Sequence, residues 1–482
     1  MAPEQNRDNQ RSSTNLVCGL PAFIASDPQA IAKEKAELTA LEQKGLLRRW
    51  RGYFRMTGPG WMQSAMTLGG GSAMASLFAG AMLQYKLLWV QPLAMLLGVI
   101  MLSAMSYQTL STGARPFHAL RKFVHPSLAW VWVIITLLST IIWHLPQYAL
   151  AVGMSDDIIK AITHWQPSSG QQTLLMVFLG TVFLAVSIAI TWRYSGGRKG
   201  VRIYERTLKA MVWMIVLAFA LVVFRRSLGR HIEWTSVLKG FLPLHIPTSP
   251  REVSVVMAGF GAAIGINMTF LFPYTLLARG WSKEHRALSR FDLITGMFLP
   301  YCLATALMII ATGCTIYDPE MLASGSTMLS PARAAVMLEA AGLGTFFSRI
   351  VFSLGILGMV LSTITMQMLV CGFAACEAFG LEPGGWHHKL ACLLPAPAVV
   401  GVLFWRHMGP WVAVPTTAIC GLLLPVAYAA FFILNNSKKY LGQDKPIGAK
   451  ALIWNIGMLA AIIVSAASSC YYLYTHFCAD IF

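Results

Sequence analysis

Two glycine-rich interruptions of otherwise apolar sequence are the places in this chain best suited to holding a solute. The first reads Gly58-Pro59-Gly60 and then Gly69-Gly70-Gly71-Ser72. The second runs through Gly259, Gly261, Gly265 and Asn267, with Pro273 further on. Each glycine costs a helix about 1 kcal/mol relative to alanine, so such runs unwind a helix near its middle. Unwound backbone offers carbonyls, amide N–H groups and half-helix ends to a bound solute. Close packing of small residues is the competing reading of either run alone. Two breaks five apolar segments apart favour a solute site built from Gly69, Gly70, Gly71, Ser72, Gly265 and Asn267.

Three further polar residues sit inside apolar segments. His144 is an ionisable group at mid-segment, with an unperturbed pKa suited to proton exchange. It and Gln147 form a candidate proton pathway, against the alternative of a neutral histidine bonded across helices or to Gln147. Gln367 reads first as an interhelical hydrogen-bonding residue and second as part of the solute site. His387-His388 reads as a solvated loop. The apolar segments hold no Asp pair, HExxH or Ser/His constellation, so no enzyme is expected. Nine cysteines form no CxxC, no cofactor motif is present, and neither a disulfide framework nor a protein-held metal is expected.

These residues must be positioned by a membrane protein. Of 482 residues, 56% are hydrophobic and 12% charged, with a mean hydropathy of +0.60; soluble domains carry about 25% charged residues. Eleven apolar stretches are long enough to cross a bilayer, at about 58–81, 86–113, 126–153, 173–192, 204–225, 254–280, 292–316, 344–376, 389–406, 411–434 and 449–475. Residues 1–50 form an N-terminal segment without a signal peptide, with an amphipathic helix over 28–51; residues 51–482 form the transmembrane domain. Placing the N-terminus inside puts 27 of the 37 Lys and Arg on the inner side, which orients the chain N-terminus in. The exception is the loop between spans five and six, with Arg225, Arg226, Arg230, Lys239 and Arg251 outside. The net charge of +17 thus points to bilayer orientation, and the basic run Arg198, Lys199, Arg202, Arg206 and Lys209 to lipid headgroups. Lacking interleaved aromatics, that run implies no nucleic-acid partner.

Gly58-Pro59-Gly60 and the stretch Gly80-Ala81-Met82-Leu83-Gln84-Tyr85-Lys86-Leu87-Leu88-Trp89-Val90 resemble the NRAMP family (natural resistance-associated macrophage proteins). Gly261-Ala262, Gln367 with Gly372-Phe373, and Asn435-Asn436-Ser437-Lys438-Lys439-Tyr440-Leu441-Gly442 agree, so the likeness runs from about residue 50 to the C-terminus. It implies an all-α, LeuT-type inverted-repeat bundle of about eleven spans with spans one and six broken, and proton-coupled uptake of divalent metals. The departures fall at the functional positions. The family's Asp-Pro-Gly-Asn aligns with Gly69, Gly70, Gly71 and Ser72, and its Met-Pro-His-Asn with Gly265, Ile266, Asn267 and Met268. A further span-six histidine aligns with Phe272, the acidic pair of span three with His144 and Gln147, and a span-ten glutamine with Leu423.

A dication between Gly69 and Gly265 would find only carbonyls, Ser72 and Asn267, too little charge to offset its desolvation. Removing bulky ligands should enlarge the cavity, so a small organic solute such as an amino acid becomes a physically reasonable cargo. The expectation is an NRAMP-related secondary transporter working by alternating access on a small solute or ion, multi-pass in a plasma or bacterial inner membrane. The alternative is a non-transporting sensor or scaffold that keeps the fold, as NRAMP-like domains do in plant ethylene-signalling proteins; such proteins usually carry a large output domain, which this sequence does not show.

Overall fold

The computed structural model describes residues 28–229, 231–318, 331–403 and 423–474. Two helices precede the membrane domain, α1 (Pro28–Glu42) and α2 (Leu46–Met56). Span one is α3 (Pro59–Thr67) followed by α4 (Gly70–Leu83). Then come α5 (Val90–Thr112), α6 (Pro116–Phe123), α7 (Pro126–Thr163), α8 (Ser169–Tyr194), α9 (Gly197–Leu228) and the short α10 (Trp234–Gly240). Span six is α11 (Pro250–Ala263) and α12 (Ile266–Ala278). Span seven joins α13 (Arg286–Leu293) to α14 (Leu299–Gly313) through a π-helical turn at Ile294–Phe298. The remainder is α15 (Pro331–Leu338), α16 (Phe352–Phe379), α17 (Trp386–Ala391), α18 (Leu424–Asn436), α19 (Lys438–Leu441) and α20 (Gly448–Leu473). No strand occurs among the described residues.

Nine of the eleven expected spans are seen as apolar helices of membrane-crossing length, counting bent span one as a single span. Spans nine and ten fall partly outside the described residues; α17, a 3-10 turn at Ala396–Val400 and α18 are their described parts. Burial separates inner from lipid-facing helices. The most apolar window of α16 is 83% buried and that of α5 72%, against 11% for α8 and for α20. The core is therefore α16 and α5 with the broken spans, and α8 and α20 present their apolar side chains outward, as lipid permits.

The N-terminal amphipathic helix is corrected in extent. The stretch 28–51 is two elements, because Lys44 and Gly45 interrupt it. Leu38 and Leu41 of α1 are buried, the latter against Gly52 of α2, where a Cβ would fall 2.5 Å from a Leu41 methyl. The amphipathic face belongs to α2. Two of the basic residues expected on the outer side find protein partners: Arg226 donates to the carbonyls of Ala341 (3.0 Å) and Cys314 (3.2 Å), and Arg349 pairs with Asp157 and Glu339.

Candidate functional site

Both glycine runs break their helices where expected. Leu68 (φ −79°, ψ 71°) and Gly69 (φ −122°, ψ −172°) leave the helix, and α3 and α4 meet at 56°. Ile264 (φ −139°, ψ 125°) and Gly265 (φ −105°, ψ 163°) are extended between α11 and α12. The extended Ile264 side chain fits because α5 has Gly98 there; a Cβ on Gly98 would lie 2.1 Å from Ile264 Cγ1. Side chains stitch the two breaks together. The Thr67 hydroxyl donates to the Ala263 carbonyl across the gap, and Ser72 donates back to the Thr67 carbonyl. Gln147 Oε1 accepts from the Gly70 N–H at 3.2 Å, satisfying one free donor at the start of α4.

Between the breaks lies a cavity of about 40 Å³, bordered by Gly69, Gly71, Ser72, Gly265, Asn267 and Gln367, all expected site residues. This is room for about one water or a little more. The expected enlargement did not occur, because neighbours fill the vacated volume. A Cβ on Gly69 would fall 2.5 Å from Thr363 Oγ1, one on Gly70 3.0 Å from Leu150, and one on Gly71 2.6 Å from Trp143. Gly70 accordingly does not border the cavity. Sequence reasoning missed Met66 and Met268, which also border it. They stand one helical turn before Gly69 and one after Gly265, an offset that could have drawn attention to them.

The lining contains no Asp, Glu, Lys, Arg or His. Among the described residues no three His, Cys, Asp or Glu converge to hold a metal ion. The residues at its border that carry donor atoms are Met66, Met268, Asn267, Gln367, Thr67 and Ser72. Asn267 Oδ1 is engaged by the Met268 N–H (2.9 Å). His144 stands behind Gln367 rather than at the cavity, fully buried, with Nδ1 2.7 Å from Gln367 Oε1. An amide oxygen only accepts, so Nδ1 carries the proton. His144 Nε2 and Gln367 Nε2 have no hydrogen-bond partner. His144 is thus bonded across helices, to Gln367 and not to Gln147, which reaches Gly70 instead. His388 corrects another expectation. It is buried, bonded to Ser195 (3.0 Å) and packed edge-on to Phe373; only His387 is exposed.

The cavity is closed on one side only. Every residue of α3 and of α12 is buried, whereas Gly71, Trp143, Gly261, Ala262 and Gly265 are partly accessible. Charge secures the closed side. Asp292 Oδ2 accepts from the N–H groups of Gly60 (2.7 Å) and Gly58 (3.3 Å) at the start of α3. Beside it, buried Arg279 pairs with Glu205 and donates to the Met56 carbonyl (3.2 Å), and Lys209 sits 4.6 Å from the Trp61 ring centre. A larger cleft of about 750 Å³ lies at the far ends of α7 and α8. It carries the Asp156–Lys160 pair but no helix break.

This arrangement of broken spans places the chain among LeuT-type membrane bundles. A mutant form of the Eremococcus coleocola manganese transporter superposes with a TM-score of 0.67 at 16% identity, covering 88% of this chain and 87% of that one. Mhp1, a nucleobase-cation-symport-1 family transporter, superposes at 0.53 with 15% identity over 86% and 92%. Within that class, residues 60–475 match the family model for natural resistance-associated macrophage protein-like proteins, and the chain belongs to the NRAMP family. It is similar to the manganese transporter pdt1 of Schizosaccharomyces pombe (26% identity over 54% of this chain) and to the NRAMP-like transporter smf-2 of Caenorhabditis elegans (26% over 46%). Those matches span 47% and 38% of the relatives' own lengths.

Proposed function

We propose that this protein is a secondary transporter that moves a small cation by alternating access, holding it between the breaks with neutral and thioether donors instead of carboxylate. The observation that carries the reading is the cavity of about 40 Å³ between Gly69–Ser72 and Gly265–Met268, closed on the α3/α12 side alone. With the N-terminus inside, this is an outward-facing state. The volume admits an ion with about one water and is too small for an amino acid, so it favours the ion over the organic solute.

The names of the relatives suggest manganese. The donors favour a softer ion. Mn²⁺ suits carboxylate and carbonyl oxygen, whereas thioethers select soft ions such as Cu(I). Without a carboxylate, a single positive charge also costs less to desolvate than two. Gln367 touches the cavity and His144 touches Gln367, which makes this pair the route by which a proton could respond to an occupant. Uptake into proteoliposomes of radiolabelled Mn²⁺ and of Cu(I) supplied with a reductant tests the reading. The expected result is saturable Cu(I) uptake exceeding Mn²⁺ uptake and reduced at least tenfold by Met66→Leu/Met268→Leu, a swap that conserves volume. Uptake of neither ion above empty liposomes, or uptake indifferent to both substitutions, sinks it.

A further inference from the structure

Helix α2 shows three distinct faces. Leu46, Leu47, Trp50 and Phe54 are 66%, 81%, 52% and 40% exposed. At 100° per residue they fall within an arc of about 100°. Arg48, Arg51 and Arg55 are exposed and form the next arc. The third face is docked: Tyr53 and Met56 are buried, and Tyr53 meets the Phe291 ring edge-on at 5.6 Å. The helix has four arginines and no acidic residue. Only Thr57 and Gly58 separate it from α3, so the chain itself holds α2 at the membrane boundary.

We propose that α2 is an interfacial helix that binds anionic phospholipid headgroups. Its apolar arc enters the acyl boundary, with Trp50 and Phe54 at headgroup depth where aromatic rings partition. The arginine arc then lies among the phosphates, where each basic residue is attracted by the anionic surface. The docked face ties that lipid contact to the protein. Met56, the last residue of α2, gives its carbonyl to Arg279, and Lys209 bonds Thr57 Oγ1 (3.4 Å) while lying 4.0 Å from the Phe54 ring centre. Charge complementarity selects the occupant: a zwitterionic surface would satisfy the apolar arc and leave three guanidinium groups without a counter-charge.

The test uses the purified full-length protein in detergent, with its melting temperature read after adding phosphatidylglycerol or phosphatidylcholine. Phosphatidylglycerol should raise the midpoint by about 3 °C or more beyond phosphatidylcholine, since a ligand of the folded state stabilises it by mass action. Arg48→Gln/Arg51→Gln/Arg55→Gln should abolish that difference while melting like wild type in phosphatidylcholine. Lys438→Gln/Lys439→Gln, which removes two exposed charges elsewhere, should preserve it. A wild type that does not distinguish the lipids, a triple variant that still does, or an equal loss in the lysine control each overturns the proposal.

Discussion

The cavity between the breaks and the closed end of α3 lie along the same half-helix, yet they use glycine and charge in opposite ways. At the closed end, Gly58 and Gly60 lack a Cβ so that carboxyl-bearing residues can approach. A Cβ would fall 2.5 Å from the Glu205 carboxylate at Gly58, and 2.3 Å from the Asp292 carbonyl at Gly60. At the cavity, Gly69 and Gly71 admit Thr363 and Trp143, which bring no charge. One end thus concentrates paired ions and the other excludes them. Fixed pairs suit a closure that must hold, because a buried ion loses heavily when its partner leaves. An uncharged cavity binds an ion weakly, which suits the release that the proposed transport requires.

Removing one partner of the closed end is the strongest test of that contrast. Arg279 and Glu205 are both about 8% exposed at the side chain. Arg279→Leu leaves the Glu205 carboxylate buried and unpaired and should cost about 3–5 kcal/mol of stability, read as a large fall in melting temperature. Adding Glu205→Gln should recover most of the loss. A fall of under about 1 kcal/mol would mean that water reaches the pair, and the contrast with the cavity would collapse.

The second test moves charge to the cavity. Gly69→Asp restores the carboxylate that the family motif carries, and Thr363→Ala clears the hydroxyl 2.5 Å from the new Cβ. A unit charge at about 4 Å is worth roughly 4 kcal/mol per opposing charge at an effective dielectric of 20, before desolvation is subtracted. Mn²⁺ should therefore bind at least about tenfold tighter, or about 1.4 kcal/mol, in calorimetric titration of the double variant than of wild type. Equal affinity would show that geometry, not missing charge, limits dications here.

What was readable in the chain divides along the same line. The breaks were legible because glycine acts locally: three in succession at 69–71 cannot sustain a helix whatever surrounds them. The membrane-crossing helices were legible from hydropathy, whereas their LeuT-type arrangement was implied only by the family resemblance. The filling of the site was not, since Trp143 and Thr363 arrive from other helices and no local pattern couples them to Gly71 and Gly69. His144 and Gln147 stand a turn apart in the sequence, but the partner of His144 is Gln367, 223 residues away. The Asp292 cap had a signal that went unused, a lone carboxylate at the start of an apolar span, where an unpaired charge could not stand.

The smallest effect comes from the rim outside the membrane, where the same kinds of pair are wet. Asp444 bridges Lys283 (2.8 Å) and Arg286 (3.1 Å), and these hydrogen bonds hold its carboxyl below the usual carboxylate range. Lys283 is 59% exposed at the side chain, so solvent screens much of the attraction. Asp444→Asn should cost about 0.2–1 kcal/mol at neutral pH, well under the loss at Arg279. The folded pKa is depressed, so the contribution is complete above the unfolded value near 3.9 and is lost as pH falls from there through the folded pKa. Wild type and variant should therefore differ in melting temperature at pH 7 and converge as the pH is taken below about 4. A gap that persists undiminished at the lowest pH would assign the effect to packing of the loop, and a gap as large as that of Arg279→Leu would show that depth in the membrane does not set the strength of these pairs.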